Sequence, residues 1–197
     1  MRNTSMKRSW NGMVGRALVL AATIVAVTCE ESCAENWPGW RGPDRNGVSR
    51  DTGVPLNWSA DANVAWKTPL PGSGISNPII FDDKVFVTAS DGKNLANLHV
   101  ICLARDTGRI RWHQRLWGTA PTRFHGNKSS MASPSPVTDG RHVWAFFGTG
   151  DVFCLESNSG QLAWHRSLSG EYGVIENRFA TSSSPLLYRD TILLQVD

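Results

Sequence analysis

Two stretches of the 197-residue chain repeat each other, and this repetition limits the possible fold more than any other feature. Residues 102–116 read CLARDTGRIRWHQRL and residues 154–168 read CLESNSGQLAWHRSL, an offset of 52. Cys, Leu, Gly, Trp, His and Leu coincide, and Thr107/Ser159 and Ile110/Leu162 are near matches. Upstream, KVFVTASDG at 84–92 aligns with HVWAFFGTG at 142–150 at an offset of 58, so the first repeat carries six extra residues around positions 93–97. Insertions between strands are best tolerated in loops, and a loop is expected there. A third start follows: ATSSSPLL at 180–187 echoes ASPSPV at 132–137, with NPII at 77–80 as a fainter copy. Each is followed by a polar turn, at Asp82-Asp83, Asp139-Gly140 and Arg189-Asp190.

The unit is a Pro-led strand, a turn, an apolar strand, a Gly turn, a third strand, a second Gly turn and a Trp strand. Four short strands in about 50 residues fit one blade of a β-propeller. The second strands, residues 85–89 and 143–147, are apolar on consecutive positions, as suits strands covered on both faces. In the Trp strand, Ile110 and Trp112 alternate with Arg109, Arg111 and His113, which predicts one covered and one wet face. Gly108 and Gly160 sit where a tight turn requires positive φ.

Residues 103–112 and 155–164 resemble the tryptophan-docking signature of PQQ-like propellers, which runs Ala-Leu-Asp-x-x-Thr-Gly-x-x-x-Trp. Cys102 and Cys154 replace its Ala, Ala104 replaces its acid, and Glu156 keeps one. The resemblance implies an all-β propeller of four-stranded blades. It also implies that Trp66, Gly108, Trp112, Gly160 and Trp164 dock one blade on the next. Residues 37–49 (WPGWRGPDRNGVS) resemble the leader that precedes the propeller in a group of exported bacterial proteins. Residues 63–70 (NVAWKTPL) look like a Trp strand with no earlier strands of its own. Ring closure explains this: they become the outer strand of a last blade. Two full repeats and part of a third fall short of the roughly 4–8 blades of a closed propeller, so the ring is expected to be incomplete within residues 1–197.

The N-terminus reads as a secretory signal over residues 1–34. Arg2, Lys7, Arg8 and Arg16 precede an apolar run of 12 residues, 17–28, too short for the about 20 that span a bilayer. An uncleaved anchor and a lipoprotein signal ending at Cys29 are alternatives. Residues 35–62 form a leader and residues 63–197 the repeats. Without the signal's four basic and two acidic residues, 20 Lys+Arg and 17 Asp+Glu reduce to a net charge of +1, which gives no electrostatic case for nucleic acid. After cleavage no transmembrane span remains, and the periplasm or cell exterior is the expected location.

No nucleophile–base pairing, phosphate-binding loop or metal motif emerges from the sequence, so neither catalytic nor metal-ligating residues are assigned. His113 and His165 are repeat-equivalent and are expected to be structural or solvated. Cys102 and Cys154 are expected to be small buried packers rather than a disulfide. The polar residues 117–133 form the candidate binding loop, through Arg123, His125, Asn127 and Lys128. Two functional readings stay open. One is a non-catalytic scaffold in the cell envelope that binds protein or another ligand and needs no cofactor. The other, implied by the same family resemblance, is a PQQ-dependent dehydrogenase with an Asp general base beside Ca2+-bound quinone, its site mostly outside this chain.

Overall fold

The computed structural model describes residues 34–120, 130–175 and 180–196. The expected signal segment lies outside these residues, apart from Ala34. The first blade is an antiparallel sheet of β1 (Ile79–Phe81), β2 (Lys84–Asp91), β3 (Asn97–Ala104) and β4 (Ile110–Trp117), in that order. The second repeats it with β5 (Val137–Thr138), β6 (His142–Phe146), β7 (Asp151–Glu156) and β8 (Leu162–Ser167). β9 (Leu186–Tyr188) and β10 (Thr191–Leu193) pair as a third hairpin. Asp82, Gly140 and Arg189, with φ of 51°, 90° and 56°, occupy the same left-handed place in the first turn of the three repeats.

The strands follow from their residues. β2, β3, β6 and β7 are buried almost throughout, because each is flanked within its sheet and covered on its faces. The main core joins Phe86, Val100 and Cys102 of blade one to Val143, Phe153 and Leu155 of blade two, with Trp112 among them. Leu187 and Ile192 of the third hairpin pack on Val137, Trp144 and Cys154. The polar residue preceding each first-strand proline ties blade to blade. The Asn77 amide donates to Ser135 Oγ (2.9 Å), and the Ser135 amide donates to Ser184 Oγ (3.0 Å).

Two sequence expectations need correction. The six-residue insertion is taken up mostly as strand. The β2–β3 ladder runs three pairs further, through Ala89↔His99, Ser90↔Leu98 and Asp91↔Asn97, than the β6–β7 ladder, which ends at Phe146↔Val152. Only a 3-10 turn at Lys93–Leu95 remains at the tip, because extending a hairpin pairs the added backbone groups. The covered face of the outer strand does not include Ile110 or Leu162, which are exposed. A register shift after Cys102 and after Cys154 inserts one residue into each outer strand and breaks the alternation. Residues 63–70 pair with no strand among the described residues.

Candidate functional site

The docking residues form two equivalent joints. At the first, Trp66 Nε1 donates to the Arg105 carbonyl (2.8 Å) and Thr68 Oγ1 to the Gly108 carbonyl (2.7 Å). At the second, Trp112 Nε1 donates to the Ser157 carbonyl (2.9 Å). Arg105 and Ser157 are themselves 52 residues apart. The indoles lie flat against Gly108 and Gly160, which have φ of 67° and 71°. A Cβ there would come within 2.3 Å of Trp66 or 2.6 Å of Trp112. Glycine is thus required twice over, by backbone conformation and by the approaching ring. Trp164, the third equivalent, is 40% exposed.

At the opposite end of the blades, the hairpin tips carry buried polar chemistry. In blade two, the fully buried Asp151 carboxylate accepts four hydrogen bonds. They come from the Thr119 amide (2.9 Å), Thr119 Oγ1 (2.6 Å), Thr149 Oγ1 (2.6 Å) and His165 Nε2 (2.8 Å). Thr119 belongs to the chain leaving blade one, so this carboxylate fastens the two blades together. The Phe153 ring stacks on His165 at 4.5 Å.

His99 takes the place of Asp151 in blade one. It is fully buried, and its Nδ1 lies 3.0 Å from His113 Nε2. Its Nε2 is 3.3 Å from Asp91 Oδ1, an ion-pair separation without hydrogen-bond alignment. Asn97 Nδ2 donates to the same Asp91 oxygen (2.8 Å) and is the main reason the Asp91 carboxyl is held below its ordinary range. Desolvation, then the neighbouring His99 and Arg115, lower the pKa of His113. Both outer-strand histidines therefore lean on an inner-strand partner rather than standing free in water.

The candidate loop starts and ends at this end of the molecule. The Gly118 amide donates to the Ala96 carbonyl (2.9 Å), and Thr119 is held by Asp151. On the far side, the Met131 carbonyl accepts from the Gly148 amide (2.8 Å), and the Ala132 carbonyl accepts from the Ile75 and Ser76 amides. Arg123, His125, Asn127 and Lys128 lie outside the described residues. The following connection opens with a short helix, α1 (Leu168–Tyr172), capped by Ser167 Oγ and flanked by an Arg166–Glu171 ion pair.

Cys102 and Cys154 are free and buried, and burial pushes both thiols up to about 11. Among the described residues, no group of three or more His, Cys, Asp or Glu side chains is placed to hold a metal ion. No helix among them is long and apolar enough to cross a membrane.

Sequence reasoning missed Thr119, Asp151 and His99. The last two share one repeat position, since the offset of 52 carries His99 onto Asp151, but their different residue types hide the match. Thr119 carries no such signal, because it lies in a connection whose length differs between repeats.

Four-stranded antiparallel sheets, repeated and joined by docked tryptophans, define a β-propeller of PQQ-type blades. A family model described as outer membrane protein assembly factor BamB matches residues 46–195, and the chain belongs to that family. No curated protein matches it. Among solved structures it is similar to BamB from Moraxella catarrhalis, at 19% identity over 65% of this chain and 36% of that one, TM-score 0.46. It is also similar to the quinohemoprotein alcohol dehydrogenase ADHIIG from Pseudomonas putida HK5, at 15% identity over 80% of this chain and 22% of that one, TM-score 0.53. The quinohemoprotein alcohol dehydrogenase from Comamonas testosteroni matches at 14% identity, with the same 80% and 22% coverage and TM-score 0.53. The chain thus spans well under half the length of each. The two dehydrogenases share the fold; at such identities activity does not carry over.

Proposed function

We propose that the chain is an exported propeller module that binds protein in the cell envelope and does no chemistry of its own. The observation that carries this reading is the environment of Asp151. This carboxylate at the tip end is fully buried and accepts from Thr119, Thr149 and His165. Its work is to join blades and so present the loop that leaves at Thr119. A dehydrogenase site of the quinone type asks for an accessible carboxylate base, Ca2+ ligands and commonly an adjacent cysteine pair. The described tip residues do not fit that set: Asp151 is enclosed, Asp91 is held by Asn97 and His99, and the two cysteines lie apart in separate blades.

In this reading residues 1–34 direct export and are removed, residues 35–62 are the leader, and residues 63–197 contribute propeller. The docking of Trp66 on Gly108 supports residues 63–70 as the outer strand of a further blade. Arg123, His125, Asn127 and Lys128 supply the binding face, and the family's assembly-factor description supports a protein partner.

The test is a photo-crosslinking residue placed at His125, expressed with the natural N-terminus. A control goes at Asp106, in the turn between β3 and β4 at the other end of the blade. A discrete envelope-protein adduct from position 125 and not from 106 is expected. Adducts from neither position sink the binding reading. Alcohol- or sugar-dependent dye reduction after addition of PQQ and Ca2+ replaces it with the dehydrogenase.

A further inference from the structure

The leader is the motif that neither the docking joints nor the tip end absorbs. Trp37 pairs with Ile80 of β1 in both directions (2.8 and 2.9 Å), and the Pro38 carbonyl accepts from the Thr138 amide of β5 (2.8 Å). Arg45 Nη2 donates to the Leu187 carbonyl of β9 (2.6 Å). One loop therefore touches the first strands of three successive repeats. It is folded tightly on itself. Gly42 has φ of 78°, and a Cβ there would meet the Trp37 ring at 2.6 Å. Arg41 and Arg45 hold φ of 64° and 57°, a conformation that L-residues seldom adopt and that persists where surrounding contacts enforce it.

This geometry builds a groove of about 250 Å³ between the loop and the first strands of the second and third repeats, lined by Trp40, Arg41, Arg45, Val137, Ser184 and Leu186 among others. Each arginine is fixed by one hydrogen bond to a main-chain carbonyl, Asn46 for Arg41 (2.9 Å) and Leu187 for Arg45. Asp44, which stands between them in sequence, pairs instead with Arg50 (2.5 Å). Among the described residues neither Arg41 nor Arg45 has a carboxylate partner. Ser184 Oγ accepts from the Ser135 amide and gives its own proton to no described residue. Trp40 is half exposed beside them. Two arginines among the lining residues, a spare hydroxyl and an apolar wall match an anion on a small apolar body. The volume falls below the roughly 300–1,000 Å³ of drug-sized sites and suits a body of about one amino-acid residue.

We propose that the groove between the leader loop and the first strands of the second and third repeats binds a carboxylate carried on a small apolar body. Arg41 and Arg45 bind the charge and Trp40 covers the body. The carboxylate belongs either to a free small acid or to the end of a polypeptide. This does not rest on the envelope-scaffold reading.

Calorimetric titration of the full chain with N-acetylleucine, N-acetylleucinamide and a glycine-rich peptide ending in a leucine carboxylate tests it. The acid is expected to bind at least about tenfold more tightly than the amide, and R41Q/R45Q to lose at least about tenfold for the acid. A peptide that binds like the free acid assigns the site to chain ends; a peptide that fails assigns it to free acids. Circular dichroism checks that the double variant is folded. If it is not, R41K and R45K, which keep the charge and lose the planar fork, are each expected to weaken the acid measurably. Equal binding of acid and amide, no binding of any probe, or affinity indifferent to the arginine changes overturns the proposal.

Discussion

Trp112 and Trp164 occupy the same position in successive blades and end in different surroundings. Trp112 is 9% exposed, bonded to the Ser157 carbonyl and pressed on Gly160. Trp164 is 40% exposed, and the strand that carries it is the least buried of its sheet. The two segments share the Trp-His pair and the leucine three residues after it, and the difference in burial lies in what faces them. Beside blade one stands a complete second blade with its turn glycine in place. Beside blade two, the described residues supply only the hairpin of β9 and β10. A docking tryptophan is therefore half of a joint. Its own repeat sets its orientation, and the glycine turn of the next repeat sets its burial.

The largest effect that would break this comparison is at the complete joint. Trp112→Ala is expected to destabilise by about 3–5 kcal/mol, as for a buried aromatic. Trp164→Ala in the 197-residue chain is expected to change stability by about 1 kcal/mol or less, because much of the ring is already wet. Chemical denaturation of both variants measures the pair. Equal losses would mean that Trp164 is docked in solution.

Much of this joint was legible in the sequence, because Trp, Gly and their spacing recur at an offset of 52. Strand order and the third start were legible for the same reason. The tip was not. His99 and Asp151 are repeat-equivalent at the offset of 52 but differ in type, which hides the match. The bulges at Cys102 and Cys154 were equally hidden, since a one-residue register shift leaves no mark on composition. The leader's contacts with three repeats are long-range pairings, which no local pattern encodes.

A second, smaller effect sharpens the comparison between blades at their tips. Asp151→Ala removes an acceptor that binds two threonine hydroxyls, an amide and a histidine. A loss of about 2–3 kcal/mol is expected, as for hydrogen bonds to a buried charged group. Trypsin cleavage at Arg123 or Lys128 should accelerate, because Thr119 loses its anchor. Unchanged cleavage together with unchanged stability would show that the carboxylate does not join the blades.

The smallest effect concerns blade one, where a histidine stands in place of that carboxylate. His113 has its pKa lowered from 6.5 by desolvation, and next by His99 and Arg115, against an opposing pull from Asp91. A lowered value means that the folded chain binds a proton at His113 less readily than the unfolded chain does. Acid therefore favours the unfolded state in the interval below 6.5 and above the folded value, and stability at this site is fully present only above that interval. The lowered Asp91 carboxyl acts in a separate window: its contribution is present above its ordinary value of 3.8 and is lost as pH falls through its folded value. The His113→Gln variant keeps a polar side chain and cannot titrate, so its urea midpoint should fall less than the parent's between about pH 7 and pH 5. The two curves should meet most closely near pH 7 if the glutamine is neutral in packing, and separate toward about pH 5. Parallel curves would show that His113 does not carry the pH dependence.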